Sequence, residues 1–260
     1  MPDSERKYSR HTCRHRVSEL SQFFDWLHTA TRFNWRKPED FDTITKSISR
    51  DEKRRSIREL AGKKTFAPEE LALIHSHCDE LDRLLLLLGL NCGFGAAESG
   101  RLEVGDFFIR QRNPLEHLWT SYGFKSSGSD SWVAFLRNKT GVAGCWWLWP
   151  ETVEALSTWQ TVRPHSESQR LVVTANGTSL YRDTAKNGQT GFANRWKRLL
   201  NRVKASGHSI QELPFGTLRD QFSDWATYRG HPEEASIGLA HGKPFSDDLQ
   251  ECYANRPFPR

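Results

Sequence analysis

The chain has 260 residues, a formal net charge of +5 and a pI near 9.0, and 37% of its residues are hydrophobic. This length and apolar content predict a globular protein with one large or two small cores, and they exclude an intrinsically disordered chain. The basic charge favours a polyanionic partner but does not by itself establish one.

Compartment and metal content can be read from a few local features. The five cysteines are scattered without a Cys-x-x-Cys pair, which is typical of reduced thiols in a cytosolic protein. The longest apolar run, residues 84–88, is too short to span a membrane, and residues 1–16 lack the apolar segment of a signal peptide. His11, Cys13 and His15 alternate, but no second ligand pair follows at zinc-site spacing. We therefore expect a cytoplasmic protein with no membrane partner and no metal.

The N-terminal quarter predicts a small helical region followed by a linker. Residues 1–16 are basic and are interpreted as a solvated tail or, alternatively, as a DNA-binding arm. Apolar residues recur at helical spacing over residues 17–28, and residues 46–64 are rich in charge. We place a domain boundary after residue 62, so that the domains are 1–62 and 63–260.

Two helices are expected at the start of the second domain. Residues 65–71 carry a proline and two glutamates where the first turn of a helix favours them. Residues 82–91 are apolar almost all round, which predicts a buried central helix. A further helix is expected after Pro150, with Val153, Leu156 and Trp159 on its apolar face.

The middle of the chain predicts a small sheet. Residues 132–136 and 145–149 are typical of two strands, with residues 138–141 as the turn between them. Residues 170–174 are predicted to form another short strand, and residues 110–131 a polar loop. The whole pattern predicts a mainly α fold with a small antiparallel β-sheet.

An amphipathic helix is predicted over residues 192–203. Its apolar face contains Phe192, Trp196, Leu199, Leu200 and Val203. Its basic face contains Arg195, Lys197, Arg198 and Arg202. Such a face is either merely solvated or contacts a phosphate backbone.

The last fifth of the chain carries the residues with the clearest chemistry. Arg219 follows Leu218 at the start of a predicted helix, His241 ends Leu239-Ala240-His241, and Tyr253 follows a dozen residues later. Upstream, Lys139 lies in the turn of the predicted hairpin. A lysine on a hairpin, then an arginine, a histidine and a tyrosine in this order resemble the catalytic domain of the tyrosine recombinase (phage integrase) family.

The resemblance covers about residues 66–253 and departs from the family at two positions. Glu98, Leu102, Asp106 and Phe107 match the first family motif, but its catalytic arginine is replaced by Gly95. In the later motif Leu218 and Arg219 match, whereas the preceding histidine is replaced by Gly216.

The resemblance implies a DNA strand-exchange reaction without metal or cofactor. Tyr253 would attack a phosphate and form a 3′-phosphotyrosine, although the long gap after His241 leaves a core role for Tyr253 open. Arg219 would stabilise the phosphate, and Lys139 and His241 would handle protons. Residues 63–260 would be the catalytic domain and residues 1–62 a remnant of the helical DNA-clamping domain.

The family also implies double-stranded DNA as the partner, assembly on DNA as a homo-tetramer, association with the nucleoid, and a role in DNA integration by a mobile element. Arg137 lies two residues before Lys139 on the predicted strand and is a candidate for the missing second guanidinium. Three functions remain open: a divergent recombinase, a DNA-binding protein of recombinase fold that no longer cuts, and a basic protein with no nucleic-acid role.

Overall fold

The computed structural model describes residues 10–44, 64–118, 125–137, 142–183, 187–229 and 239. The chain divides into two compact units, Met1–Lys63 and Lys64–Arg260.

The N-terminal unit is built around one helix, α1 (Arg10–Thr29), followed by a short 3-10 turn at Phe41–Thr43. The ring of Phe24 stacks on Trp35 at 5.4 Å and meets Phe41 edge-on at 5.6 Å. The helix is longer than the predicted 17–28, because the second half of the basic stretch expected to be a tail is helical. Aromatic contacts, rather than an aliphatic core, hold the described part of this unit together.

The C-terminal unit begins with α2 (Pro68–Ser76), close to where its start was predicted. Proline occupies the first helical position, where its missing N–H costs nothing. The carboxylate of Glu70 accepts a hydrogen bond from the N–H of Ala67 at 2.9 Å and another from the N–H of Gln211 at 2.8 Å. Glu70 therefore both caps the helix and fixes the later segment against it.

The central helix α3 (Glu80–Cys92) is almost entirely buried, as its apolar sequence predicted. It begins at Asp79, whose carboxylate accepts the N–H of Asp82 at 2.8 Å, and it ends at Gly93, which has a left-handed φ of 67°. A Cβ atom at Gly89 would lie 2.7 Å from the side chain of Leu218, so this glycine allows a later helix to pack closely. A short helix, α4 (Ala96–Arg101), follows.

The sheet has three antiparallel strands in the order β1 (Phe107–Phe108), β2 (Trp132–Arg137) and β3 (Val142–Trp147). The predicted pairing is confirmed, with Trp132 opposite Trp147. The predicted end of β3 is wrong, because Trp149 is instead the N-cap of α5 (Pro150–Val162).

A buried asparagine explains where β3 stops. Asn91 of α3 donates to the carbonyl of Trp147 at 3.0 Å and accepts the N–H of Trp149 at 2.8 Å. It also accepts the hydroxyl of Thr152 at 3.0 Å. These bonds take the chain off the sheet and turn it into α5, whose first helical residue is Pro150.

The strand predicted over residues 170–174 is absent from the described residues. Only single bridges form there, from Arg170 to Glu103 and from Val173 to Ser179. The side chains of Leu171, Val172 and Val173 are nevertheless buried. Their apolar run therefore reflects burial of a loop against the core and not strand pairing.

Two helices complete the described part of this unit, α6 (Thr190–Ala205) and α7 (Thr217–Tyr228). Helix α6 buries the five apolar residues predicted for its face. Helix α7 buries Leu218 completely and packs against α3. The fold is thus mainly α with a small antiparallel sheet, as predicted. None of the helices in the described ranges has the length and apolar character needed to cross a membrane.

Candidate phosphate-binding site

A cleft of about 710 Å³ lies between the start of α4, one side of α6 and the loop that leads into α7. Apolar side chains from α6 and from residues 213–215 form much of its wall. The residues that bear on its chemistry are Gly95, Glu98, Lys197, Gly216 and Arg219.

Arg219 lies in the first turn of α7 and is held on two sides. One terminal nitrogen donates to the carboxylate of Glu98 at 3.0 Å, and the other donates to the carbonyl of Leu239 at 2.7 Å. The two side chains are only 17% and 13% exposed. Charge-assisted bonds in so sheltered a place fix the direction in which the guanidinium points.

Glu98 therefore has a role that its sequence position did not reveal. In addition to its bond with Arg219, the carboxylate of Glu98 accepts a hydrogen bond from the N–H of Gly95 at 3.2 Å. This bond caps the N-terminus of α4. The pairing of Glu98 with Arg219 joins residues 121 positions apart, and no local pattern in the sequence signals it.

The two glycines that depart from the family pattern both line the cleft with Arg219. Among the described residues, a Cβ atom on Gly95 would meet only an oxygen of Glu98, at 3.1 Å, and a Cβ atom on Gly216 would meet none within 4 Å. Neither residue has a positive φ. Backbone conformation and space therefore do not require glycine at either position.

Two of the four basic residues predicted on α6 are engaged within the protein. Arg195 donates to Asp82 at 2.6 Å and also pairs with Asp79, while Arg202, about two turns further along the helix, pairs with Asp82 as well. Asp82 is 3% exposed. Burial alone would raise the pKa of Asp79, but the N–H of Asp82 and the charge of Arg195 outweigh it and lower that pKa. These arginines attach α6 to the start of α3.

The other two basic residues of the predicted face, Lys197 and Arg198, are exposed, and neither forms an ion pair with another described residue. Lys197 lines the same cleft as Arg219. Arg198 donates to the carbonyl of Asn194 at 3.3 Å and is not part of the cleft wall. The structure thus divides the predicted basic face into two arginines that form ion pairs within the protein and two basic residues that form none with the described residues.

Of the remaining predicted site residues, the structure describes only the backbone of Arg137. The backbone of Arg137 ends β2 opposite Val142. Lys139, His241 and Tyr253 lie outside the described residues. Leu239, two residues before His241, is buried, and its side chain lies beside Gly93. The carbonyl of Leu239 accepts a hydrogen bond from Arg219, so the chain contacts Arg219 two residues before His241.

Metal ligands are not grouped in the ranges that the structure describes. No set of three or more His, Cys, Asp or Glu side chains there lies close enough to hold a metal ion.

Comparison with known proteins defines the fold. No protein-family model and no curated protein matches the sequence. Solved structures of recombinases do match, and the chain has a divergent tyrosine recombinase-like fold.

Three of the similar structures illustrate the extent of the match. The XerH site-specific recombinase in a post-cleavage complex with palindromic difH substrate matches with a TM-score of 0.62 and 15% identity, over 90% of this chain and 62% of XerH. The XerA recombinase matches with a TM-score of 0.53 and 13% identity, over 95% of this chain and 76% of XerA. A variant of the Tn1549 transposon integrase in complex with circular intermediate DNA matches with a TM-score of 0.52 and 13% identity, over 98% and 78% of the two chains.

Proposed function

We propose that this chain is a DNA-binding protein of the site-specific recombinase or integrase type, which holds a phosphate of double-stranded DNA at the cleft around Arg219. The observation that carries the proposal is the anchored guanidinium of Arg219, bound to Glu98 at 3.0 Å in the wall of an open cleft. An arginine held in this way has a fixed direction and suits the recognition of a phosphate. Two similar structures, of XerH and the Tn1549 integrase, are complexes with substrate or DNA, which supports the same partner here.

The reaction, if the protein cuts DNA, would run through Tyr253. The phenolic oxygen would form a bond to the scissile phosphorus while the bond from phosphorus to the 5′ oxygen breaks. The phenolic proton would pass to a base, with His241 as candidate, and the leaving 5′ oxygen would take a proton from Lys139. Arg219 would stabilise the charge on the non-bridging oxygens. The product would be a 3′-phosphotyrosine, which a 5′ hydroxyl of another strand would reverse.

A specific observation favours the alternative of a DNA-binding protein with impaired cleavage. Gly95 and Gly216 line the cleft but provide no charged side chain or imidazole there. Loss of one donor that stabilises a transition state costs about 10²–10³ in rate. We therefore expect weak cleavage or none, with DNA binding retained.

Other parts of the proposal rest on the resemblance and the fold. Residues 1–62 are proposed to be what is left of a DNA-clamping domain, and residues 63–260 to be the integrase-like domain. Assembly as a homo-tetramer on DNA, nucleoid association in the cytoplasm and origin from a mobile element belong to the same proposal.

The deciding experiment is covalent trapping on a nicked suicide substrate. Wild type is compared with Tyr253→Phe and with Arg137→Ala. An adduct lost in Tyr253→Phe supports the recombinase and identifies the nucleophile, whereas an adduct that survives this change contradicts the assignment. Salt-dependent DNA binding without any adduct supports the alternative. Loss of adduct in Arg137→Ala would support Arg137 as a source of the second guanidinium.

A further inference from the structure

The described cleft wall contains two carboxylates, Glu98 and Glu212, and two cations, Lys197 and Arg219, while Lys204 lies outside it. Glu98 is paired with Arg219 at 3.0 Å, and Glu212 is paired with Lys204. Lys197 is the remaining charged residue of the described cleft wall, and among the described residues it has no ion-pair or hydrogen-bond partner. Its ammonium group therefore provides the uncompensated positive charge of this part of the cleft.

The position of Lys197 on α6 separates it from the other cations of that helix. Arg195 and Arg202 are bound to Asp82 on the α3 side. Lys197 shares the cleft with Arg219 and with the glycine-bearing start of α4. Its long, flexible stem allows an ammonium group to adjust to a ligand in the cleft.

The apolar wall of the cleft strengthens the attraction to an anion. Aromatic and aliphatic side chains line it next to Lys197, among them Phe192, Trp196 and Phe215. Charges interact more strongly near such low-dielectric walls than in open water. Because the charge of Arg219 is opposed by Glu98, Lys197 adds the net attraction for the single negative charge of a DNA phosphodiester that enters here.

We infer that Lys197 and Arg219 bind the same DNA phosphate in this cleft, Arg219 as a directed hydrogen-bond donor and Lys197 as the second cation that Gly95 does not supply. The inference rests on the proposed function. It assigns to Lys197 a role at the phosphate that would react, and not only a contact to the backbone elsewhere on the duplex.

The first measurement is the salt dependence of binding to a duplex DNA. Lys197→Ala is expected to lower the slope of log affinity against log salt by about 0.9, the value for one lost phosphate contact. Lys197→Arg is expected to retain the wild-type slope. An unchanged slope in Lys197→Ala would overturn the inference, while a steep slope in wild type would leave the proposed function standing.

The second measurement asks whether the two cations serve one phosphate. Gly95→Arg places a cation on the α4 side of the cleft, where the added Cβ meets only a Glu98 oxygen. This change is expected to restore the salt slope and affinity of Lys197→Ala. The matched control is Arg198→Ala, which removes an exposed cation outside the cleft wall, and Gly95→Arg is not expected to restore any loss that it causes.

The outcomes are distinguishable from one another. Failure of Gly95→Arg to restore Lys197→Ala, with the thermal midpoint of unfolding unchanged, would overturn the shared phosphate. Equal restoration of Arg198→Ala would overturn it too, because the effect would then be one of net charge. A wild-type protein without salt-dependent DNA binding would overturn the proposed function and this inference with it.

Discussion

The carboxylate of Glu98 forms two structurally important contacts at the cleft. Glu98 holds the guanidinium of Arg219 and also accepts the N–H of Gly95 at the start of α4. In the family pattern, this glutamate supports an arginine at the position of Gly95. In this protein it is bonded to the arginine that remains. The anchoring of Arg219 and the geometry of α4 therefore depend on the same side chain.

The two glycines can be tested by putting the family residues back. We expect Gly95→Arg combined with Gly216→His to increase covalent adduct on a suicide substrate, by about 10² if the surrounding groups are in place. Neither added Cβ meets a backbone atom of the described residues within 4 Å, so the backbone at both positions has room for a side chain.

A suitable control adds the same charge elsewhere. Gly128 also has open space around its Cα, and Gly128→Arg tests whether extra positive charge alone raises activity. If the double variant forms no more adduct than Gly128→Arg, the rest of the site is not arranged for cleavage, and the protein is a DNA-binding module.

At the scale of elements, the join between α3 and α6 rests on ionic contacts. Asp79 caps α3 and pairs with Arg195, and the nearly buried Asp82 binds both Arg195 and Arg202. Charge reversal of Arg195 would therefore break a structural contact and lower stability, in addition to any effect on DNA. Lys197 and Arg198 are better positions at which to probe DNA contacts of α6.

The charge of Asp79 should make stability depend on pH. Its pKa is lowered below 3.8 in the folded protein, so its contribution is present above pH 4 and is lost as the pH falls through the folded pKa. Asp79→Asn keeps an acceptor for the helix cap but removes the charge. Because the pair is partly exposed, we expect a loss of roughly 0.5–1 kcal/mol in the free energy of unfolding at pH 7.

Urea titrations of both proteins at several pH values measure this difference. It should shrink as the pH falls below 4, where wild type loses the same charge. A difference that stays constant down to pH 2 would show that the charge of Asp79 is not the source. Asp82→Asn should cost more, about 2–3 kcal/mol, because it leaves two arginines beside a neutral, nearly buried group.

Asn91 joins three elements and offers a second prediction at this scale. Its side-chain amide forms hydrogen bonds with Trp147, Trp149 and Thr152, between the end of β3 and the first turn of α5. Asn91→Ala would leave these groups without partners in a buried place and is expected to cost about 2–4 kcal/mol of unfolding free energy. Asn194→Ala, on the exposed side of α6, is the matched control and should change it by less than about 0.5 kcal/mol. Equal effects of the two changes would contradict the role of Asn91.

At the scale of the whole molecule, the sequence predicted what depends on local pattern. The apolar periodicity of α6 and the run within α3 indicated their helices and buried faces, and the two apolar strands predicted the hairpin. The errors arose where distant contacts decide. Asn91 moved the end of β3, and burial without pairing made residues 170–174 resemble a strand.

The order of motifs along the chain was enough to identify residues of the candidate site, but it did not predict the contacts between them. Arg219 was identified from its motif, but its pairing with Glu98 and the engagement of Arg195 by Asp82 join residues more than a hundred positions apart. The spacing of residues within one helix or strand cannot predict contacts between distant parts of the chain. The sequence therefore could not separate Lys197 from the internally paired arginines of the same helix.

Unfolding of the C-terminal unit can be followed by the reactivity of its buried cysteine thiols. Burial raises the pKa of Cys145 to about 12 and that of Cys92 well above its ordinary value, whereas Cys13 in the N-terminal unit is exposed. In a Cys252→Ser variant at pH 8, we expect an alkylating reagent to label Cys13 quickly. Cys92 and Cys145 should react only on unfolding, with rates that rise together in urea. Labelling of Cys92 in native buffer as fast as that of Cys13 would contradict the described core.

The cluster around Asp82 has a consequence for how this sequence can change over time. A neutral residue at position 82 would leave Arg202 without its carboxylate partner and Arg195 with Asp79 alone, and loss of either arginine would leave a nearly buried carboxylate undercompensated. We therefore expect a single substitution at any of the three positions to destabilise the protein more than a joint replacement by apolar residues does. When relatives of this chain are aligned, we expect positions 82, 195 and 202 to covary as a set, independently of the residues that line the cleft.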